Sequence, residues 1–346
     1  MPVKHIQCFG TPYEIGYLHG QGAKTEVHGS IAFYGAFFKE RTKLAWSEVR
    51  DVASRFVPFI ESAYPEYVEE MHGVADGAGV DLESIVALNV RTEIAYGMLS
   101  DGCTALSWKT SDASFLAQNW DWNYEQTPNI VCLSIAQPPR PSIHMMTEGG
   151  IIGKIGLNSA GVGVTLNAIQ APGVSYDKLP CHLALRTALN SASKEAAADA
   201  LRKTGVASAC HITIADSSTG GIGFECTALD IIEMPMETDG QLAGTCTHSN
   251  HLVKKHKVEG TLFLNDSPFR LDRIQELMRT VDKPSVEKIS EMLKDDKNCP
   301  TAINRAVGEK STSQTLFSIV MDLGKGFARV KMGRPTEDGE VFELKP

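Results

Sequence analysis

The stretch SDGCTALSW at residues 100–108 divides the chain into two parts of different character. Asp101 and Gly102 form a turn signal, because glycine tolerates backbone angles that other residues resist. Cys103 then starts a short strand-like run that ends at Trp108. Two interpretations of Cys103 are open at this point. It is a packing residue at a strand edge, or the Gly102–Cys103 peptide bond is itself a chemical target and Cys103 becomes a new N-terminus.

Helical patterns dominate before this stretch, and strand patterns dominate after it. Pro12 marks a helix start, and apolar residues at helical spacing predict three further helical segments: 46–63, 67–78 and 82–96. Downstream, TALSW and FLAQNWDW flank a polar stretch and predict a β-hairpin. More strands follow, interrupted by helical segments at 183–203 and after the capping residues Ser267 and Ser285. Strands combined with helical blocks predict an α+β fold in which helices cover sheets.

Composition excludes several functional classes. The 346 residues are enough for one large or two ordinary domains, and the net charge of -9 argues against nucleic acid or an anionic membrane as partner. The start MPVKHIQCFG lacks the apolar run of a signal peptide, and the end VFELKP differs from a peroxisomal address, so a cytoplasmic location is expected. The eight cysteines are dispersed without a CxxC pair, which favours reduced thiols over a disulfide framework.

A cysteine at a new N-terminus would bring its own base. The free α-amino group has a pKa of about 7.7–8.0, close to about 8.5 for the thiol, so it can accept the thiol proton near neutral pH. Before cleavage, the thiol of Cys103 could attack the Gly102 carbonyl, and hydrolysis of the resulting ester-like intermediate would release the amine. Glycine before the scissile bond removes a Cβ and permits a strained turn.

Two distant segments carry polar groups that suit such a centre. QNWD at 118–121 ends the second strand of the predicted hairpin, so Asn119 and Asp121 could return beside Cys103; the alternative is a strand edge with packing tryptophans. THSNH at 247–251 offers the Asn250 NH₂ group as a donor for an oxyanion hole, or it simply caps a turn. A metal site is not expected there, because no further ligands occur at recognised zinc spacing.

Arg305 precedes KSTSQT at 310–315, where basic and hydroxyl groups enter a strand. These groups could bind a carboxylate, or they could be a solvated loop. GVGVTLNAI does not open a helix with GxGxxG, and no P-loop, HExxH or GxSxG motif occurs. A dinucleotide cofactor is therefore not expected.

Together these segments resemble the isopenicillin N acyltransferase (acyl-coenzyme A:6-aminopenicillanic acid acyltransferase) family of N-terminal nucleophile hydrolases. The resemblance covers nearly the whole chain, and its specific part is the order and spacing of DGCT, QNWD and THSNH. It implies a four-layer αββα sandwich made as one self-cleaving precursor. Residues 1–102 would form a smaller, mainly helical chain and residues 103–346 the catalytic chain, with both chains in one folded heterodimer.

The resemblance also implies roles for single residues. Cys103 matches the nucleophile and new N-terminus, Asn250 matches the oxyanion-hole asparagine, and Asp121 matches the site aspartate. Gly102 and Cys103 flank the cleavage point. Residues expected to bind substrate or support the site are Thr104, Asn119, Thr227, Arg305, Ser311 and Thr312.

Two positions depart from the β-lactam acyltransferase pattern: Ala105 replaces a hydroxyl residue, and Thr312 replaces an arginine. Loss of that cation removes a charge partner for an acidic substrate such as a penicillin, while the nucleophile is kept. The resemblance therefore implies a cysteine acyltransferase or amidohydrolase that forms a thioester acyl-enzyme and passes the acyl group to an amine or to water. Alternatives are amide hydrolysis of a non-penicillin substrate, or a non-catalytic relative that binds a ligand or partner.

No cofactor and no metal are expected. Acyl-coenzyme A is a candidate co-substrate, and the expected partners are a small-molecule acyl donor and an amine acceptor.

Overall fold

The computed structural model describes residues 2–95, 102–262, 264–309 and 312–346. Two β-sheets lie face to face in the middle of the molecule. The larger sheet has eight strands, antiparallel except that β1 pairs with β4 in parallel. In spatial order its strands are β1 (Lys4–Phe9), β4 (Ile130–Ala136), β5 (Ile143–Glu148), β6 (Ile155–Asn158), β7 (Val162–Ala168), β8 (Cys210–Asp216), β9 (Gly220–Cys226) and β10 (Ile231–Pro235).

The smaller sheet carries Cys103. Its six strands are all antiparallel. In spatial order they are β11 (Thr245–His248), β2 (Cys103–Lys109), β3 (Ser114–Asn123), β12 (Ser313–Asp322), β13 (Phe327–Met332) and β14 (Val341–Leu344). The predicted hairpin is confirmed as β2 and β3, with Cys103 opposite Trp120.

Helices pack on the outer face of each sheet. Nine of the described helices share a hydrophobic core with the larger sheet, and two share a second core with the smaller sheet. The first group is α1 (Pro12–Gly22), α2 (Lys24–Arg41), α3 (Trp46–Ser54), α4 (Val57–Ala63), α5 (Pro65–Ala78), α6 (Leu82–Asn89), α7 (Arg91–Ile94), α8 (Cys181–Leu189) and α9 (Lys194–Thr204), and the second group is α10 (Ser267–Arg279) and α11 (Val286–Leu293). The order of layers is therefore helix, sheet, sheet, helix. Across the described part of the chain, no helix is both long and apolar enough to span a membrane.

Local sequence signals explain where several helices begin and break. The helix starts predicted at Pro12 and Ser285 are confirmed. The helix predicted at Ser267 also forms, but its N-cap is Asp266, so the predicted cap at Ser267 is wrong: the Ser267 hydroxyl instead accepts the Asn250 N–H. The segment predicted as helical at 46–63 is two helices, because Pro58 lacks the N–H that a continuous helix would need. The block at 183–203 also breaks in two, and the Ser193 side chain caps the second helix by accepting from the Ala196 N–H at 3.1 Å.

Strand alternation places the thiol of Cys103 between the two sheets. Successive side chains of a strand point to opposite faces. In β2, Leu106 and Trp108 pack in the core formed with α10 and α11, whereas Cys103 belongs to the core that includes the larger sheet. Thr104 therefore shares the helix-facing side of β2, next to α10.

The backbones of helices α1 and α5 pack directly against each other, with no side chain between them at the glycine positions. A Cβ added to Gly73 of α5 would overlap the Tyr13 carbonyl oxygen of α1, and one added to Gly16 of α1 would overlap the Glu70 carbonyl oxygen of α5. These glycines let the two helix backbones touch, so the N-terminal helices form a tightly packed unit beside β1.

Gly73→Ala should lower the free energy of unfolding by about 1–3 kcal/mol, because the extra methyl group forces the two helices apart. Gly35→Ala is the matched control. A Cβ at Gly35 of α2 would meet only the Trp46 ring edge at 3.9 Å, so alanine there should be neutral or stabilising by up to about 1 kcal/mol. Denaturant midpoints of the two variants test this, and equal midpoints would contradict the packing argument.

Candidate active site

The main chain of Cys103 is held on both sides by side chains from distant segments. Its N–H donates to Asn250 Oδ1 at 2.8 Å, and its carbonyl oxygen accepts from Arg270 Nη1 at 2.6 Å. Arg270 Nη2 also donates to the same Asn250 oxygen, at 2.8 Å. We call this arrangement the Cys103 clasp. Cys103 is buried, so its position is set by these hydrogen bonds and by strand pairing.

Asn250 lies in the loop after β11 and Arg270 lies in the first turn of α10, and hydrogen bonds join these two segments. Ser267, at the start of α10, accepts a hydrogen bond from the Asn250 backbone N–H at 2.7 Å and bonds to His251 Nδ1 at the same distance. The Ser249 hydroxyl lies 2.9 Å from the Ser267 hydroxyl. One serine at a helix start thus fixes the THSNH loop to the helix whose first turn carries Arg270.

Gly102 occupies a space that admits no side chain. A Cβ at this position would overlap Arg305 Nε and lie 2.8 Å from Asp121 Oδ2. The Gly102 carbonyl oxygen accepts a hydrogen bond from the Asp121 backbone N–H at 2.8 Å. Glycine before Cys103 is therefore required by close packing against a buried ion pair, whatever the conformation of the preceding turn.

Two carboxylates and two guanidinium groups form a buried chain beside Gly102. Asp266 Oδ2 accepts from Arg270 Nε at 2.7 Å and also contacts Arg305 Nη2. Arg305 Nε lies 3.5 Å from Asp121 Oδ2, and Asp121 Oδ1 accepts from the Thr315 hydroxyl at 2.7 Å. Among the described residues, neither Asp121 Oδ2 nor Arg305 Nε has a hydrogen-bond partner.

Burial raises the pKa of Asp121 to about 7, although the nearby charges of Arg305 and Arg270 act in the opposite direction. Asp266 takes hydrogen bonds from both arginines, so Asp121 receives only the weaker, longer contact. A carboxyl group with this pKa can give or take a proton near neutral pH, and one of its oxygens is directed to the space at Gly102.

The structure brings Thr104 into the clasp and leaves Asn119 outside it. The Thr104 hydroxyl accepts from Arg270 Nη1 at 3.1 Å. Asn119 Nδ2 instead donates to the carbonyl oxygens of Leu293 and Ile303, at 2.8 and 3.0 Å. Asn119 thereby anchors the segment that leads to Arg305 and has no described hydrogen bond to Cys103.

The remaining predicted residues are less central. Thr227 bonds to Asp230 Oδ1 at 2.5 Å in the turn after β9, and no described hydrogen bond links it to the clasp. Thr312 is exposed and lines a cleft of about 930 Å³ together with Arg305 and Asp266. Ser311 lies outside the described residues.

Sequence reasoning missed Arg270 and Asp266, whereas Thr315 belongs to the predicted segment at 310–315 and bonds to the Asp121 carboxyl group. The pair Asp266 and Arg270 has a weak local signal, since opposite charges four residues apart at a helix start predict an ion pair. Nothing local connects that pair to Cys103, because the contact spans 167 residues. Thr315 reaches Asp121 only through the pairing of β12 with β3.

The histidines of THSNH have other partners. His248 Nε2 lies 2.8 Å from Glu225 Oε1, and the His248 ring stacks on the His211 ring with centroids 3.7 Å apart. His251 bonds to Ser267. In the described ranges, no group of three or more His, Cys, Asp or Glu side chains has an arrangement suited to a metal ion.

Known structures share this fold. A variant of conjugated bile acid hydrolase from Clostridium perfringens matches with a TM-score of 0.53 and 14% identity, covering 70% of this chain and 92% of that one. A second variant of the same hydrolase matches with a TM-score of 0.52, at the same identity and coverage. The fold is the four-layer αββα sandwich of the N-terminal nucleophile hydrolases, which confirms the predicted fold class.

Sequence comparison defines the family within that class. A sequence model described as acyl-coenzyme A:6-aminopenicillanic acid acyl-transferase matches residues 108–337. The 40 kDa form of acyl-coenzyme A:6-aminopenicillanic-acid-acyltransferase from Emericella nidulans is 36% identical over 345 residues, covering 98% of this chain and 95% of that protein. The chain belongs to the acyl-coenzyme A:6-aminopenicillanic acid acyl-transferase family, as its motifs predict.

The raised pKa of Asp121 predicts a specific pH dependence of stability. The folded protein holds a proton on Asp121 up to about pH 7, whereas the unfolded chain releases it near about pH 3.9. This contribution to stability is fully present below about pH 3.9 and is lost as the pH rises through about 7. As the pH rises from 4 to 8, the free energy of unfolding of the parent should therefore fall by a few kcal/mol relative to that of Asp121→Asn, because a tenfold change in a proton-binding constant corresponds to about 1.4 kcal/mol.

Both proteins should carry Cys103→Ala, so that each remains one chain during denaturant unfolding between pH 4 and pH 8. Asp51→Asn, at an exposed position of α3, is the control and should track its parent at every pH. Parallel pH curves for the parent and Asp121→Asn would contradict the raised pKa.

Proposed function

We propose that this protein cuts itself between Gly102 and Cys103, and that mature Cys103 is the nucleophile of an acyl-transfer enzyme. The enzyme forms a thioester with the acyl group of its donor and passes that group to an amine or to water. The observation that carries the proposal is the Cys103 clasp, which holds the nitrogen and the carbonyl oxygen of one cysteine beside a buried carboxyl group. Family membership supports acyl transfer as the reaction class.

Self-cleavage begins with attack of Cys103 Sγ on the carbonyl carbon of Gly102. The Gly102 oxygen already accepts the Asp121 backbone N–H, which stabilises the negative charge that develops on it. The carbon–nitrogen bond then breaks, and the neutral Asp121 carboxyl group gives the nitrogen a proton. The proton that the thiol releases on forming the thioester restores the Asp121 carboxyl group. Water hydrolyses the thioester, giving a Gly102 carboxylate, a free α-amine and a restored thiol.

The mature nucleophile needs a neutral amine as its base. Asn250 Oδ1 accepts a hydrogen from the Cys103 nitrogen, and Arg270 donates to that same oxygen. A guanidinium group this close disfavours a second positive charge on the amine, so it lowers the pH at which the amine can act as base. The amine takes the thiol proton, the sulfur attacks the donor carbonyl, and the leaving group departs with a proton.

Asn250 has the atoms for a second role as oxyanion donor. Its Nδ2 donates one hydrogen to the Ala168 carbonyl oxygen at 3.0 Å. The NH₂ group has another hydrogen, which we assign to the oxygen of the tetrahedral intermediate. The side chain would then orient the amine through its oxygen and stabilise the intermediate through its nitrogen.

The two chains would remain together as a heterodimer. Strand β1 lies before the cut, β4 lies after it, and they pair over six residues from Lys4 to Phe9. Side chains from both parts share one hydrophobic core. Breaking one peptide bond leaves these contacts in place.

Amide hydrolysis is the second candidate, and the surroundings of Arg305 favour it for this chain. Thr312 stands where a cation was expected, and Arg305 is buried and bonded to Asp266. The cleft beside them therefore offers little free positive charge from Arg305 to a substrate carboxylate. Arg41 also lines this cleft, but position 312 no longer supplies a cation, and an amide without a carboxylate does not need one there.

Intact-mass analysis of the purified protein should show two chains that meet at Gly102 and Cys103. Cys103→Ala should give one chain, because no sulfur is available to attack. Cys299→Ala is the matched control, since Cys299 is exposed and lies outside the clasp, and it should be cut like the parent. A parent protein that stays whole after prolonged incubation would refute self-cleavage.

Asn250→Ala should lower turnover per mole of cleaved enzyme by roughly two to three decades, the usual effect of losing an oxyanion donor. Asn250→Asp separates the two roles, because it keeps an oxygen facing the Cys103 nitrogen and removes the NH₂ group. It should lose turnover to a similar extent but cleave itself faster than Asn250→Ala. Initial rates and cleavage time courses measure both effects, and full turnover by Asn250→Ala would exclude the assigned role.

A further inference from the structure

A second concave site lies next to the Cys103 clasp. The segment 251–262 (HLVKKHKVEGTL), apart from Val253, lines a cleft of about 620 Å³ together with Pro268. Its basic residues are Lys254, Lys255 and Lys257, and we call it the lysine cleft. All three lysines are exposed, and none forms an ion pair with any residue that the structure describes. In a chain with a net charge of -9, a concentration of unneutralised cations in one concave place calls for an anionic partner.

Two acidic side chains accept hydrogen bonds from the backbone of this segment, and neither forms an ion pair with the three lysine side chains. Glu225 accepts the backbone N–H groups of Val253 and Lys254, at 2.6 and 2.8 Å. Asp230 accepts the N–H of Lys257 at 2.8 Å. Preorganised backbone lowers the conformational entropy that a ligand would have to remove, so the cleft is built before a ligand arrives.

His256 ties these two carboxylates together. Its Nε2 lies 3.1 Å from Glu225, and its Nδ1 lies 2.7 Å from Asp230. The negative charges of Glu225 and Asp230 are thus engaged with backbone N–H groups and an imidazole. Glu259 is the one acidic residue among the described residues that line the cleft.

The same cleft has an apolar floor. Leu252 and Val258 pack on a small buried cluster formed by Ile169, Ala171 and Ala209. A ligand for this site should therefore combine phosphate-type anions, which lysine ammonium groups bind, with a flat or aliphatic portion that lies on the floor.

The lysine cleft is also close to the reacting centre. His251 and Pro268 line it. His251 follows Asn250 of the clasp, and Pro268 follows Ser267, whose hydroxyl accepts the Asn250 N–H. A ligand with its anionic end on the lysines could extend past these neighbours toward Cys103.

We propose that the lysine cleft binds the phosphorylated nucleotide end of an acyl-coenzyme A thioester, whose acyl end then lies at Cys103. The inference rests on the proposed function only for the fate of the acyl group. Coenzyme A combines several phosphates, a flat adenine and a long flexible arm that ends in the thioester, which matches the charges, the floor and the position of the cleft. Its volume lies within the range of about 300–1,000 Å³ that is usual for sites of small molecules and cofactors.

The direct test is equilibrium binding by calorimetry of coenzyme A, adenosine 3′,5′-bisphosphate and inorganic phosphate. The proteins are the parent, the triple variant Lys254→Gln/Lys255→Gln/Lys257→Gln, and a matched triple variant. The matched variant is Lys24→Gln/Lys203→Gln/Lys283→Gln, which changes the net charge equally at exposed lysines outside the cleft.

Coenzyme A and the bisphosphate should bind the parent, and the cleft variant should weaken both by about tenfold, as expected when several exposed ion pairs are lost. The matched variant should stay within about twofold of the parent, since it removes no ligand contact. Equal affinity of all three proteins for coenzyme A would overturn the inference. So would binding of inorganic phosphate as tight as that of coenzyme A, because the cleft would then be a simple anion site.

KM values for two acyl donors test coenzyme A binding separately from the proposed acyl transfer. The KM for an acyl-coenzyme A donor should rise about tenfold in the cleft variant. The KM for the same acyl group on N-acetylcysteamine, which lacks the nucleotide, should not change. Failure of both donors to react, with coenzyme A binding lost only in the cleft variant, would refute thioester transfer and leave the binding site standing.

Discussion

Burial of the Arg270 guanidinium at the N-terminal end of β2 is the interaction on which the site depends. A buried charge is costly unless hydrogen bonds and a counter-charge compensate it. Arg270 finds both, in the carboxylate of Asp266 and in the oxygens of Cys103, Thr104 and Asn250. Because these acceptors come from separate segments, satisfying one cation fixes β2, the loop after β11 and α10 relative to each other.

The same distribution of charge favours the protonated form of the Asp121 carboxyl group beside Gly102. Asp266 binds both arginines, so Asp121 keeps an oxygen without a hydrogen-bond partner among the described residues, and burial raises its pKa to about 7. A fully paired Asp121 would remain ionised and could not donate a proton near neutral pH. The missing Cβ of Gly102 leaves the room in which this carboxyl group meets the peptide bond.

Local sequence signals predicted much of the fold and part of the site. The hairpin β2–β3 and the cap at Ser285 follow from alternation and capping chemistry, and family motifs pointed to Cys103, Asp121 and Asn250, which the structure brings close together. Strand β1 and helix α2 were missed: only Ile6 and Cys8 of β1 are buried, and glycines dilute the apolar pattern of α2. Arg270 was missed because its partners lie on other strands and loops. Asn119 and Asp121 share one face of β3, but Asn119 donates to the carbonyl oxygens of Leu293 and Ile303 and not to a group at Cys103. Tertiary packing decides these partners, so the sequence alone could not predict them.

The proposed reaction requires that the sulfur of Cys103 carry the acyl group during turnover. The most direct measurement is rapid acid quenching of the enzyme with an acyl-coenzyme A or N-acyl amine substrate, followed by intact-mass and peptide analysis. The 103–346 chain should gain the mass of the acyl group, the adduct should lie on the peptide that begins at Cys103, and hydroxylamine should remove it. Turnover with no adduct, or with an adduct on another residue, would contradict it.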